Sequence, residues 1–411
     1  MLTILASQDT RKNMPQKEAP WNDRTLLWLS VATFSSMASM RFTDSMLPAL
    51  ATDFFTTAGH AGLAISAFAI AYGALQLFYG PMGDRYGKFK VASLATAACT
   101  AGCIAAALSP SLDWLSASRA LSGATAAGII PLTIAWIGDN VPYARRQEIL
   151  ARLLTATVSG TIAGQWLGGL FADTVGWRTG FVLLALLFAV TSLFMCLELR
   201  QQNTRSQPTR TSAPGDTAVN QMRYILREPW ARRILLITCT EGALAFSTIS
   251  FVPSHLHMHF DLSMGSAGAV LALFGAGGLV YSRCARTLVQ RFGEAGLARL
   301  GAGLLAVAFG MLALLPSWHW ALPACLLGGL GFYSLHNTLQ TQATQMVRRF
   351  RGTAVSLFAG SMFLGQSIGV LVASVVINRS SAIPVFAASG LGILILGIVF
   401  AALLRKRPQQ R

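Results

Sequence analysis

Apolar stretches of about 20 residues, the length that crosses a bilayer as α-helix, recur along the chain with short polar breaks between them. They predict twelve spans, at 25–47, 61–80, 91–109, 114–138, 150–172, 179–198, 233–254, 264–282, 295–315, 320–343, 353–377 and 382–404. Runs this long are not the short alternating strands of a barrel, so helix is the expected spanning form. The expected fold class is therefore an all-α membrane protein with twelve transmembrane helices. The longest polar stretch between spans includes "RQQNTRSQPTRTSAPGDTAVNQ" and falls between the sixth and the seventh. Rich in Ser, Thr, Pro and Gln, it reads as a flexible linker. It divides the chain into an N-terminal tail (1–24), a six-helix bundle (25–198), the linker (199–232), a second six-helix bundle (233–404) and a C-terminal tail (405–411).

The two halves echo each other. "GPMGDRYGK" (80–88) ends the second span and "ARTLVQRFGE" (285–294) follows the eighth; a shift of 206 aligns Arg85 with Arg291 and Gly87 with Gly293. "LPALATDF" (47–54) finds a partner in "VPSHLHMHF" (252–260) at nearly the same shift. Repeated six-span halves are the layout of secondary transporters, with the site at the interface between them.

Composition sharpens this picture. The 411 residues are 53% hydrophobic and 12% charged, with a mean hydropathy of +0.53; a soluble domain carries about 25% charged residues. A net charge of +16 on a soluble protein would suggest nucleic acid, but here its placement accounts for it. Of the 32 Lys and Arg, 26 fall in the tails, the linker and the loops on the same side as these, and only Arg178 and Arg379 fall on the other side. This asymmetry predicts cytoplasmic termini and no nucleic-acid partner. Trp114, Trp177, Trp230, Trp318 and Trp320 lie near span ends, as interfacial tryptophans do. The first twenty residues hold only a six-residue apolar start, too short for a secretory signal, and are expected to be a cytoplasmic tail. Six cysteines are scattered through apolar runs without metal-ligand or CxxC spacing, so they read as small buried hydrophobes, and no metal or other cofactor is expected.

Against that apolar background, polar residues inside spans stand out. "MASMRFTDSMLP" (37–48) puts Arg41 and Asp44 three residues apart in the first span, close enough to share a helix face. A charge near the membrane centre costs roughly 2.5–3.5 kcal/mol on insertion scales, so depth and face decide whether the pair is tolerated. At about 1.5 Å per residue, Asp44 sits on the order of 9 Å inside the outer boundary. Arg119 in the fourth span and Gln165 and Trp166 in the fifth fall at a similar level. Glu241 is a further buried acid, about eight residues into the seventh span. Tyr72 and Gln76 are four apart on the second span; Tyr333, His336, Asn337 and Gln340 lie on the tenth and Gln366 on the eleventh, with His336, Asn337 and Gln340 on one face. Gly160, Gly164 and Gly168 form a small-xxx-small series for close helix packing.

These segments resemble the major facilitator superfamily over nearly the whole chain. "GPMGDRYGKFK" matches the family's signature loop between helices 2 and 3 at Gly80, Asp84, Arg85, Gly87 and Lys88. "RALSGATAAG" (119–128) resembles its helix 4 motif, an Arg followed four residues later by Gly. "GQWLGG" (164–169) resembles the helix 5 motif of the antiporters, with Gln165 where that motif has Pro. "TDSMLPALATDF" and "VGWRTGF" are similar to segments of bacterial drug and metabolite proton antiporters, and "TEGALAFS" and "GFYSLHNTLQ" to a subgroup of inner-membrane exporters. The resemblance implies that Arg41, Asp44, Arg119, Gln165 and Trp166 face one cavity, and that the signature loop locks the outward-open state through Asp84 and Arg85. It also implies a protein that usually works as a monomer. Gly80, Pro81 and Gly87 would let the chain turn sharply there; the plainer reading leaves Arg85, Lys88 and Lys90 as topology charges alone.

Two readings of the buried charges stand side by side. Arg41, Asp44 and Arg119 form either a static network or a proton site in which the arginines compete for Asp44. Related exporters use an acid four residues before the helix 1 Pro, which implies the second for Asp44, four before Pro48. Glu241 is a second protonation site, a substrate contact, or a neutral acid bonded to a neighbouring helix. The expected function is proton-coupled export of a small organic molecule by alternating access across a bacterial inner membrane. Uptake by symport or facilitation is the alternative that Gln165 keeps open. No His-Glu-x-x-His or Gly-x-Ser-x-Gly stretch occurs, and no nucleophile–base arrangement is recognisable, so an enzyme or receptor is a remote third.

Overall fold

A computed structural model describes residues 23–203, 218–347 and 350–406. The predicted tails, apart from their innermost residues, and the middle of the predicted linker lie outside these. Among the described residues all regular structure is helical. The first half contains α1 (Asp23–Phe42), α2 (Leu47–Asp53), α3 (Ala58–Ala61), α4 (Leu63–Tyr86), α5 (Lys88–Ala107), α6 (Leu112–Ala126), α7 (Ile129–Asn140), α8 (Tyr143–Asp173) and α9 (Trp177–Asn203). After α10 (Ala218–Arg227) come α11 (Pro229–Ile249), α12 (Val252–Phe260), α13 (Met264–Ala313), α14 (Ala321–Met346), α15 (Arg351–Arg379) and α16 (Ile383–Lys406).

All twelve predicted spans fall on helices, and eight helical stretches are long and apolar enough to cross a membrane. The predicted first, fifth and tenth spans, on α1, α8 and α14, are not among the eight. Their Ser, Thr and Gln residues lower the hydropathy, and these same helices carry most of the candidate polar residues.

Three expectations change. The first span is not one helix: α1 stops at Phe42, residues 43–46 form a turn, and α2 starts afresh with Pro48 in its first turn. Proline is favoured there because its missing N–H is not needed, while it disfavours helix in the residue before it. The predicted basic loop at 283–291 is helical; α13 continues through it and breaks only at Gly293, with φ 63° and ψ 176°. The loop after the second span likewise shrinks to one residue. Gly80 and Pro81 lie inside α4, and Gly87 alone, at φ 94°, makes the turn into α5. A residue with a Cβ resists that left-handed region.

The internal repeat extends to the packing. Gly87 and Gly293, aligned by the shift of 206, are both the turning glycines. Pro48 and Pro253 each open a short helix after a break in the preceding one. Gly160, Gly164 and Gly168 of α8 lie against the carbonyl oxygens of Phe34, Ala38 and Phe42 on α1. Gly365 and Gly369 of α15 lie in the same way against Cys239 and Ala243 on α11. Gly123 of α6 meets the Phe68 carbonyl, and Gly329 of α14 meets that of Phe274. Each pair except Gly168–Phe42 recurs at an offset of 205 or 206 residues, so two bundles are built to one plan.

The bundles meet along two seams, α4 with α15 and α8 with α13. The seams are tightest at the end away from the linker. There Ser66 and Ser367 exchange hydroxyl-to-carbonyl bonds, the shorter at 3.1 Å, and the Ser374 hydroxyl donates to the Gly59 carbonyl. Asp173, at the end of α8, accepts from the backbone N–H groups of Met264 (2.9 Å) and Gly265 at the start of α13. Nearer the basic end, residues 77–86 of α4 and 282–294 of α13 are largely exposed. These hydrogen bonds between the bundles thus lie at the end away from the linker, while these stretches of α4 and α13 are exposed nearer the basic end.

Candidate functional site

The break between α1 and α2 places the opening pair. Arg41 lies in the last turn of α1, and Asp44 sits in the turn that follows, its N–H donating to the Arg41 carbonyl (3.2 Å). Their side chains form an ion pair, Arg41 Nη1 to Asp44 Oδ2, at 3.6 Å, with Asp44 fully buried. Both Asp44 oxygens and Arg41 Nη1 are without a hydrogen bond. The Arg41 guanidinium also lies 4.3 Å from the ring centroid of Phe246 on α11, so it spans from its own half to the other. Cation–π attraction of this kind strengthens where water is excluded.

Arg119 is fully buried but does not complete an ion-pair triad. Its Nη2 donates to the Ser39 carbonyl (2.9 Å) and its Nη1 to the Ser39 hydroxyl (3.3 Å), and its guanidinium stacks over Phe68 at 4.3 Å. It therefore braces α6 against α1 two residues before Arg41. Gln165 is buried beside this group: its backbone carbonyl accepts from Ser45 (2.7 Å), and its side-chain oxygen has no partner. Trp166, its neighbour, is 46% exposed and lies outside the cluster.

The second half contributes its own pair. Glu241 on α11 is fully buried, and its Oε2 meets His336 Nδ1 of α14 at 3.0 Å. His336 stacks on Phe332 and tilts against Phe358, while Glu241 Oε1 is unbonded. Tyr333 packs against Gly278 of α13, Asn337 donates to the Tyr333 carbonyl, and Gln340 is exposed one turn nearer the basic end. Tyr72 packs across the seam on Phe363 with centroids 4.5 Å apart. Gln76 and Gln366 are buried, each with an unbonded side-chain oxygen. Buried polar atoms are nearly always bonded, so this concentration marks a place where water or solute completes the network.

At the basic end the signature loop centres on Lys88. It contacts Asp84 at 3.5 Å and Asp139 of α7 more closely. Asp84 is 54% exposed, and Arg85 lies over its neighbour Tyr86. Asp139, Asp173, Ser39 and Phe246 had no sequence signal that singled them out. At the opposite end, Asp53 accepts from Trp177 Nε1 (2.9 Å) and Arg178 Nη1 (2.6 Å). Burial pushes the Asp53 carboxyl up, but these two bonds and the Arg178 charge outweigh it and hold it below the usual carboxylate range. Among the described residues no group of three or more His, Cys, Asp or Glu is placed to hold a metal ion.

Two repeated helical bundles that enclose buried charges at their interface define a multi-pass membrane transporter rather than an enzyme. A family model described as Major Facilitator Superfamily matches residues 29–358, and the chain belongs to that superfamily. It is 25% identical to the uncharacterized transporter YgaY of Escherichia coli O157:H7, over 85% of this chain and 88% of that one. It is 35% identical to the multi-drug resistance efflux pump PmrA of Streptococcus pneumoniae, over 33% of this chain and 34% of that one. Among solved structures, the nucleoside transporter NupG superposes with a TM-score of 0.74 at 13% identity, over 93% of this chain and 100% of that one. A bacterial homologue of the human lysosomal transporter Spinster, in an inward-facing and unoccupied conformation, gives 0.70 at 18% identity, over 97% of this chain and 100% of that one. Structural similarity at these identities speaks to the fold alone.

Proposed function

We propose that this protein exports a small organic molecule across a bacterial inner membrane in exchange for protons, by rocking its two bundles about a central site. The two bundles are residues 25–198 and 233–404, joined by a cytoplasmic linker, with both termini cytoplasmic. The observation that carries this reading is the set of buried ionisable groups drawn from both halves: Arg41, Asp44 and Arg119 from one, Glu241 with His336 from the other. Asp44 binds the proton. Protonation removes its attraction for Arg41, which then remains held by Phe246 of the other half, so the charge state of one carboxyl alters a contact between bundles. Glu241 and His336 form a second exchangeable site, and Tyr72, Gln76 and Gln165 line the space between. The partial likeness to PmrA and the 24% identity to the inner membrane transport protein YnfM of Escherichia coli K12, over 84% of this chain, support an inner-membrane exporter.

The test is reconstitution in proteoliposomes with a pH-sensitive dye in the lumen, screened against a panel of metabolites and lipophilic drugs. A transported solute should move protons the opposite way, and an uncoupler should abolish its uphill transport. Asp44→Asn should lower coupled transport at least tenfold while solute binding survives; full coupled transport in that variant would remove Asp44 from the mechanism. Gln165, in place of the antiporters' Pro, favours a second reading, uptake by symport. Everted vesicles separate the two, since export fills them when a proton gradient is imposed and uptake does not.

A further inference from the structure

The corner between α10 and α11 gathers four arginines that the transport site does not use. Arg223 and Arg227 lie one turn apart on α10, and Arg232 and Arg233 follow in the first turns of α11. All four are exposed, and none has a side-chain ion pair or hydrogen bond among the described residues. Lys88, Arg145 and Arg152 differ from them: Lys88 is engaged by Asp84 and Asp139, and Arg145 and Arg152 by Glu148. The one acid within the corner, Glu228, leaves a clear positive excess.

The apolar residues around these arginines say what faces them. On α11, Ala231, Ile234 and Leu235 turn into the protein, whereas Leu236 is 67% exposed. Leu236 follows Arg232 and Arg233 by four and three residues, so all three share the outer face of the helix. An exposed leucine on a span marks its lipid side, and arginines one turn closer to the helix start stand at headgroup level. Trp230, half-buried beside them, is the residue type that occupies that level. On α10 the apolar arc is wider than the face it buries. Ile225 is buried and Met222 half-buried, while Val219 and Leu226 on the same arc are exposed. At about 100° per residue, Arg223 and Arg227 border that exposed edge. A short helix with an apolar edge beside arginines lies in the plane of a membrane surface. Its position is fixed by Gln221, which accepts from Thr353 of α15 (2.6 Å), and by Tyr224 against Phe350.

We propose that this corner is a binding site for anionic phospholipid headgroups: Arg223, Arg227, Arg232 and Arg233 hold the phosphate, and Val219, Leu226 and Leu236 line the acyl chains. The planar guanidinium fork suits bidentate contact with phosphate. Because α10 is bonded to α15 and leads into α11, the lipid anchors the second bundle at the point where the linker enters it.

The experiment uses the full chain in a neutral detergent, titrated with dioleoylphosphatidylglycerol or dioleoylphosphatidylcholine, with retained lipid counted by native mass spectrometry. Phosphatidylglycerol should be retained in preference to phosphatidylcholine. Replacing all four arginines by Gln should reduce that preference at least tenfold, on the basis of roughly fivefold per cation near an anionic surface. The paired variants R223Q/R227Q and R232Q/R233Q should each lose part of it, and they replace the quadruple variant if that one fails to fold. Inorganic phosphate at the same concentration should neither displace the lipid nor raise the melting temperature. Equal retention of the two lipids, an unchanged preference in the variants, or displacement by phosphate alone would each overturn the proposal.

Discussion

At the scale of single residues, the site is a set of charges held away from lipid and only partly neutralised. Asp44 has Arg41 at 3.6 Å and no hydrogen bond. Asp53, at the opposite end, is the contrast: two donors grip its carboxylate. Its pKa sits below the ordinary 3.8. The tether to Trp177 and Arg178 is therefore fully present above that pH and is lost as pH falls through the lower folded value. Asp53→Asn should lower the melting temperature in detergent at about pH 6, and the gap from wild type should close below pH 3.8. A gap that persists in acid would mean the side chain acts by shape, not charge. Much of this scale was legible: Arg41, Asp44, Arg119, Gln165, Glu241 and His336 all fall in or beside the buried clusters. The pairing of Glu241 with His336 was not, because residues 95 apart leave no spacing signal between helices. Trp166 shows the limit of reading depth alone. Neighbours on a helix point about 100° apart, so with Gln165 turned inward, Trp166 turns out.

At the scale of elements, glycines set how closely helices approach. A Cβ on Gly164 would press into the Ala38 carbonyl, and one on Gly369 into that of Ala243. Gly164→Val and Gly369→Val should each destabilise by about 1–3 kcal/mol through overpacking, read as lower melting temperatures and weaker expression. Gly310, in the last turn of α13 with open space where a Cβ would sit, provides the control. Gly310→Ala should be neutral or stabilise by up to about 1 kcal/mol, the helix preference of Ala over Gly. Equal losses at all three sites would point to a general intolerance unrelated to packing. The α1 break was hidden because apolar residues resume at Met46 and Leu47 after only Thr43, Asp44 and Ser45; only Pro48 hinted at it. Phe246 was hidden for a different reason, since an aromatic in an apolar span looks the same whether it packs in a core or receives a guanidinium.

At the scale of the whole molecule, the bundles are joined where they must later part. Asp173 accepts two backbone N–H groups at the start of α13, a charge-assisted contact reinforced by the helix dipole. Asp173→Ala should raise the labelling rate, by a membrane-impermeant thiol reagent, of a single cysteine placed at Ser45 in an otherwise cysteine-free chain. The rise should be about tenfold, consistent with losing roughly 1.4 kcal/mol of closure. An unchanged rate would show that Asp173 has no part in closure. The overall architecture was readable because each bilayer-length run announces itself, and because the halves repeat at a fixed offset. The conformation was not, since it depends on which of two sets of contacts between bundles is made.

The latch at α8–α13 has a repeat-related partner at α4–α15, and the two differ in one respect. Where the first places the carboxylate of Asp173, the second places Asn378 beside Gly59, with Ser374 bonded to its carbonyl. One zipper is thus fastened by a formal charge and the other by neutral amide and hydroxyl groups. When the molecule opens at that end, it should unfasten first along α4 and α15, so the opening forms off-centre, beside Tyr72 and Phe363 rather than beside Gln165.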